Sequence, residues 1–207
     1  MLRVSTIIGS PITNSRHLAR TSHNGIVAGL LALFAAAAFA ETRPDPELRE
    51  LLRAAANEAD SFPDRFEAQV WLTDMSRRLE RQVRDPEERI YILTRVHYEA
   101  SRVGLPPELI LAVIEVESNF DRYAISVVGA LGLMQVMPFW LEEIGRPGDN
   151  LLHIDTNLRY GCTILKYYYD KENGDLRRAL GRYNGSLGKR KYPNKVIDKL
   201  SRKWFQA

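Results

Sequence analysis

The sequence predicts an all-α fold, and three observations carry that prediction. From Glu41 onward apolar residues recur at helical spacing, Pro and Gly punctuate the segments, and no convincing run of alternating strand residues occurs. The 167 residues from Glu41 to Ala207 are enough chain for one domain that buries its own core.

The elements follow in order. After a loose Pro44/Pro46 start, Leu48 to Asn57 reads as a short helix, and Phe62-Pro63 breaks the chain before a second helix that runs to about Val83. Arg84-Asp85-Pro86-Glu87-Glu88 is a helix start: Asp85 can cap, Pro86 gives up no hydrogen bond in the first turn, and the two acids favour the positive end of the helix dipole. Ile90, Leu93, His97 and Ala100 share one face of the helix that follows, which places His97 in the core rather than at a metal. Further helices are expected from Pro107 to Glu117, Pro138 to Ile144, Asp155 to Glu172, Leu176 to Tyr183 and Pro193 to Phe205. In the last of these, Val196, Ile197, Leu200 and Trp204 point inward and Lys195, Lys199, Arg202 and Lys203 face water.

Residues 1–40 have a different character. They carry Arg3, Arg16 and Arg20, no acid, and an uncharged run from Gly25 to Ala40 that ends Ala38-Phe39-Ala40. This reads as a signal peptide cut after Ala40, because the run falls short of the about 20 residues a spanning helix prefers. Glu41 rather than Cys follows the cut, so no lipid is expected there. The polar lead before Gly25 is long for a signal, and the next methionine after Met1 is Met75.

The same segment accounts for the whole formal charge of +3, leaving 26 basic and 26 acidic residues from Glu41 on. A net-neutral exported domain is a poor nucleic-acid binder. The neutral part is nonetheless a dipole, with 10 basic residues and 1 acidic residue between positions 176 and 207. Cys162 is the only cysteine, which rules out an internal disulfide framework and a cysteine-based zinc cluster. His97 and His153 show no metal-ligand spacing, and nucleophile elbows, phosphate-binding loops and dinucleotide fingerprints are missing.

Candidate chemistry concentrates in two stretches. Pro107 to Glu117 carries three glutamates on one short helix; at about 100° per residue Glu108 and Glu115 fall together opposite Ile110 and mark a wet side. Glu117 falls between Ile110 and Val113, in the middle of the apolar face. Desolvation and the negative end of the helix dipole would both raise its pKa, giving the protonated carboxylic acid that general-acid catalysis on a glycosidic oxygen needs. The geometry equally allows a Glu117 that merely ends the helix and turns to solvent. The second stretch, GALGLMQVMP at 129–138, sets Gln135 among apolar residues between two glycines and a proline. It fits a cleft wall as well as a buried turn.

Together with Asn157, Gly161 and Tyr183-Asn184-Gly185, the Glu117-Ser118-Asn119-Phe120 and GALGLMQVMP stretches resemble the four ordered motifs of the family 1 lytic transglycosylases. The resemblance covers roughly residues 90–205 and implies a goose-lysozyme-like helical domain there; no motif covers residues 41–89, whose pattern reads as a helical N-terminal extension packing on the same domain. It implies that Glu117 is the catalytic acid and base, that Ser126, Gln135 and Met137 line the cleft, and that Tyr183, with Asn184 beside it, holds the glutamate or the sugar. An inward Tyr183 agrees with Leu176, Ala179 and Leu180 on the same helical face. Asn157, Gly161 and Cys162 lie on a helix whose face looks like plain core. Two departures stand out: Arg182 precedes the tyrosine where the family has a small residue, and Tyr192-Pro193 stands where many relatives have tyrosine and valine.

The implied reaction is non-hydrolytic cleavage between N-acetylmuramic acid and N-acetylglucosamine in periplasmic peptidoglycan, with a 1,6-anhydro product and no metal or cofactor. Two competing readings are a muramidase on the same scaffold, with Asp121 activating water, and a non-catalytic cell-wall binder. The basic C-terminal region, with Lys189, Arg190 and Lys191, is expected to hold the polymer's carboxylates.

Overall fold

A computed structural model describes residues 46–58 and 60–205, which belong to one compact unit spanning Arg43–Ala207. The expected signal peptide, its cut after Ala40 and the Pro44 start lie outside the described residues. Among the described residues eight α-helices follow one another: α1 Pro46–Glu58, α2 Arg65–Leu79, α3 Pro86–Val103, α4 Pro107–Glu117, α5 Phe139–Ile144, α6 Ile154–Lys171, α7 Leu176–Tyr183 and α8 Lys191–Lys199. A π-helical turn, Leu200–Trp204, continues α8. Among the described residues there is no strand, only two isolated bridges, Ile125 with Leu131 and Leu131 with Val136. The all-α expectation holds.

Local signals explain most boundaries. Asp64 caps α2 by accepting from the amides of Phe66 and Glu67, and Asp85 caps α3 through Glu87 and Glu88. α3 stops at Gly104, whose φ of 69° is the left-handed conformation a helix end favours. α2 ends at Leu79 rather than near Val83, and the intervening turn is held by Arg89. That guanidinium, 3 % exposed, donates to Ser76 Oγ at 2.9 Å and to the Val83 carbonyl at 2.7 Å. α8 starts two residues earlier than expected, at Lys191, and takes Pro193 within its first turn, where a missing N–H leaves no helix bond unmade.

α4 is the central helix. α3, α8 and the π-helical turn pack around it, and six consecutive residues, Leu109 to Ile114, are buried. A helix apolar all round has no wet side. The expectation that Glu108 and Glu115 face water is therefore corrected. Glu108 accepts from Trp71 Nε1 at 2.7 Å, and Glu115, with a side chain only 5 % exposed, accepts from Lys199 Nζ at 2.7 Å and Trp204 Nε1 at 2.8 Å. Lys203 joins it at 3.2 Å. Lys199 and Lys203 are thus not simply solvated; they tie the C-terminal turn to α4, and these cations hold the Glu115 pKa below its ordinary value against the opposing effect of burial.

α1 and α2 pack on α3, and Leu52 and Leu72 belong to the same hydrophobic core as Leu93 and Ile110. His97 is half-buried at the edge of that core, where it also lines a cavity, rather than within it. Its ring stacks on Phe62 at 3.4 Å, its Nδ1 is 2.8 Å from Ser61 Oγ, and burial lowers its pKa to about 4. α6 and α7 close the other side, with Cys162 fully buried in α6 and its thiol pushed far up by desolvation.

Candidate active site

Glu117 is the last residue of α4, and the chain reverses directly after it. Asn119 and Phe120 take φ of 50° and 68°, left-handed values that non-glycine residues adopt at a cost of about 1–3 kcal/mol and keep only when the surroundings enforce them. The enforcement is visible. Phe120 is 4 % exposed and packs on Trp204 with ring centroids 5.6 Å apart, while Ser118 Oγ donates to the Leu133 carbonyl at 2.8 Å. The Glu-Ser pair therefore does two jobs: the glutamate projects from the helix end, and the serine ties that end to the 129–138 loop.

That loop is clamped from below. Asn157 on α6 accepts from the Met134 amide at 2.8 Å and donates to the carbonyls of Leu131 and Leu151 at 2.8 and 2.7 Å. Gly132, at φ 70°, must be glycine: a Cβ there would collide with the Asn157 amide and stand 2.6 Å from the Leu151 carbonyl. Gly161 lets Met134 lie against α6, because a Cβ would come within 2.7 Å of the Met134 Cβ. Asn157, Gly161 and Cys162 serve packing, in agreement with their reading as core.

The other expected site residues divide. Gln135, itself at φ 49°, spends its amide N–H groups on the carbonyls of Ala124 and Gly132 at 3.1 and 2.9 Å, so it shapes the loop. Ser126 Oγ accepts from the Ala130 amide at 2.9 Å and shapes the neighbouring turn. Met137 is partly exposed ahead of α5. Tyr183 points inward from α7, and its phenol donates to the Met134 carbonyl at 2.7 Å rather than to Glu117. Desolvation, then the Glu117 charge, push that phenol's pKa far up. Asn184, the residue after α7, accepts from Ser186 Oγ at 3.1 Å.

The tyrosine that holds the glutamate is Tyr192. Its phenol, on the first turn of α8, donates to Glu117 Oε1 at 2.6 Å. The two residues face one cavity of about 300 Å³, lined also by Val116, Asn184, Ser186, Lys189, Lys191 and Lys195. Burial raises the Glu117 pKa from 4.5 to about 7, against a smaller opposite effect of the Tyr192 hydrogen bond. Near neutrality this carboxyl is available both as an acid and as a base. Among the described residues no second carboxylate lines the cavity. Asp121 is exposed and its carboxylate accepts from the Tyr123 amide at 2.9 Å, as in an ordinary Asx turn. A second cavity, about 550 Å³, lies between α2 and the C-terminal turn and is lined by Phe62, Trp71, His97, Glu108 and Trp204. Its His97 is neutral near pH 7 and its Glu108 accepts from Trp71, whereas the carboxyl that burial raises to about 7 faces the smaller cavity.

Sequence reasoning missed Tyr192 as a partner of Glu117 and, while it singled out Lys189 and Lys191 for the polymer's carboxylates, it left Lys195 in water. The available signal was the inward stripe of α8: Tyr192 stands four residues before Val196 and eight before Leu200. Among the described residues, no three His, Cys, Asp or Glu side chains are grouped as a metal site requires, and no helix is long and apolar enough to cross a membrane.

Known proteins resemble this chain over the same region. The family model "Transglycosylase SLT domain" matches residues 95–205. The "Transglycosylase" of Enterobacteria phage PRD1 is 29 % identical over 109 residues, which are 49 % of this chain and 40 % of that protein. The "Membrane-bound lytic murein transglycosylase C" of Haemophilus ducreyi is 48 % identical over 112 residues, 46 % of this chain and 30 % of that one. Among solved structures, an inactive mutant of the Pseudomonas aeruginosa lytic transglycosylase Slt aligns with a TM-score of 0.43 at 23 % identity, covering 76 % of this chain and 34 % of that chain. The chain thus spans less than half the length of each of these relatives. With the family model running over more than half of the sequence, from α3 to the C-terminal turn and across Glu117, the chain belongs to the transglycosylase SLT domain family.

Proposed function

We propose that this protein is a peptidoglycan lytic transglycosylase that cleaves the β-1,4 bond between N-acetylmuramic acid and N-acetylglucosamine. Glu117 is its single acid and base. One observation carries the reading: a mostly buried carboxyl with a pKa near 7, held by a phenol, in a cavity with no second carboxylate. Most glycosidases need two carboxyl groups, one of which acts as nucleophile or activates water. A lone carboxyl suffices when the substrate provides the nucleophiles.

The steps balance without water. Neutral Glu117 gives its proton to the glycosidic oxygen as that bond breaks, and the acetamide oxygen of the muramic acid closes on C1. The resulting carboxylate, stabilised by the Tyr192 O–H, takes the proton of the C6 hydroxyl. O6 then attacks C1, the acetamide is released, and the products are an N-acetylglucosamine end with a free hydroxyl and a 1,6-anhydromuramyl end. Glu117 is protonated again. The residues of the 126–137 loop, with Asn157 and Tyr183 beneath, hold the wall against which the glycan lies.

Relatives named membrane-bound murein transglycosylases support a place in the cell envelope, and the signal-like character of residues 1–40 supports export to the periplasm. The test is the Glu117→Gln variant on purified sacculi. It is expected to be folded and inactive. A folded variant that releases soluble fragments at the wild-type rate refutes the assignment of Glu117.

A further inference from the structure

The charge asymmetry of the chain has a structural destination. Ten basic side chains and one acidic side chain lie between positions 176 and 207. Six of the ten have partners: Arg177 on the Asn194 side-chain oxygen, Arg178 and Arg182 on Glu172, Lys199 and Lys203 on Glu115, and Arg202 on Asp198. Among the described residues no carboxylate pairs with Lys189, Arg190, Lys191 or Lys195. Three of these four, all but Arg190, line the cavity that contains Glu117, and all three are exposed.

The remaining polar groups of that cavity do not balance them. Asn184 and Ser186 are neutral, Tyr192 holds its proton, and Glu117 is largely neutral below pH 7. Three ammonium groups on one wall repel one another and gain nothing from a bare neutral sugar. They are suited to anions, and their long, mobile stems suit single carboxylate oxygens in varied positions better than the fixed fork of arginine would. We propose that Lys189, Lys191 and Lys195 form a carboxylate-binding wall of the catalytic pocket that selects glycan strands by the acidic groups they carry. The inference rests on the reading of Glu117 as the acid acting on peptidoglycan. It narrows the basic region expected from sequence, dropping Arg190 and adding Lys195. Two sources present this chemistry: the carboxylates of the peptide stems and the lactyl carboxylate that appears when a stem is removed.

The experiment compares kcat/KM of the full chain on three soluble glycan preparations of equal length: strands with acidic stems, strands with chemically amidated stems, and stem-stripped strands with free lactyl groups. Wild type is expected to cleave acidic-stem strands about tenfold faster than amidated ones, as three exposed pairs worth a factor of about two each would give. Added salt shrinks the ratio. The triple variant Lys189→Gln, Lys191→Gln, Lys195→Gln brings the ratio to near one, and the corresponding triple arginine variant, which keeps the charge but not the mobile ammonium, restores it in part. Circular dichroism melting verifies that both variants are folded. Stripped strands cleaved as fast as acidic-stem strands assign the lactyl group, and stripped strands as slow as amidated ones assign the stem. A wild-type ratio near one, or a ratio that survives the glutamine substitutions, overturns the proposal. Failure of wild type to cleave any of the three overturns the proposed activity instead.

Discussion

Replacing Glu117 by Gln removes a titration while keeping a carbonyl oxygen for the Tyr192 phenol, so its effect on stability must depend on pH. In the native protein burial raises this carboxyl from 4.5 to about 7. Between those values the folded state keeps a proton that the unfolded state has released. Wild-type stability therefore falls as pH rises from about 4.5 to 7 and levels off above, the sign expected for an acid whose folded pKa is the higher one. At 1.36 kcal/mol per tenfold change, the full loss is about 3 kcal/mol. The Gln variant has no such loss. Its unfolding free energy minus that of wild type should thus be about 3 kcal/mol larger at pH 8 than at pH 4. Urea unfolding of both proteins at pH 4, 6 and 8 measures this, since every other titrating group cancels in the difference. A difference that does not change with pH would refute the claim that the acid is held neutral by burial.

Three further outcomes are expected. Tyr192→Phe removes the one hydrogen bond that lowers the Glu117 pKa, so the alkaline limb of kcat/KM against pH should move upward, and kcat should drop about tenfold for one lost bond to a developing carboxylate. An unmoved limb contradicts the assignment of that phenol. Asn157→Ala leaves the Met134 amide and the Leu151 carbonyl without their partner, removes one of the two donors to the Leu131 carbonyl, which keeps the Val136 amide, and should cost about 2–4 kcal/mol by denaturant unfolding, with loss of activity as the loop is released. Gly161→Ala forces a methyl against Met134 and should cost about 1–3 kcal/mol, whereas Gly185→Ala, with nothing within 4 Å but a φ of 67°, should cost only its backbone strain, about 1 kcal/mol.

What the residues disclose in advance depends on the kind of contact involved. Periodicity, proline breaks and the Asp85 cap placed the helices, because such signals act within a few residues of themselves. The place of Glu117 on the stripe of Ile110 and Val113 was legible for the same reason, but that geometry equally allowed a side chain turned to solvent. The partners of that carboxyl were not. Tyr192 lies 75 residues away, and only the docking of α8 on α4 brings the phenol to it. Glu115 was misjudged because a helical wheel assumes one buried face, and α4 is surrounded. Its carboxylate is compensated by Lys199 and Lys203, which are more than 80 positions distant. Tyr183 shows an intermediate case. Its inward ring follows from Ala179 and Leu180, yet its hydrogen bond goes to a main-chain oxygen of a loop, and no side-chain pattern encodes that.

The family motifs acquire physical roles in this arrangement. The Glu-Ser pair ends a buried helix and pins it to the loop, the loop glycine and Asn157 fit each other, and the late tyrosine supports the loop from below. These contacts fix the backbone around one titrating acid. In the proposed reaction, chemistry is left to Glu117, Tyr192 and the substrate's own acetamide and C6 hydroxyl.

The most direct test of that division of labour is the mass of the sugar ends released from purified sacculi by the wild-type protein. A single carboxyl with no water-activating partner predicts muramyl ends lighter by one water than hydrolysed ends, from the first turnover, and absent with Glu117→Gln. Fully hydrated reducing ends produced by the wild-type protein would contradict the account and assign the activity to a hydrolase.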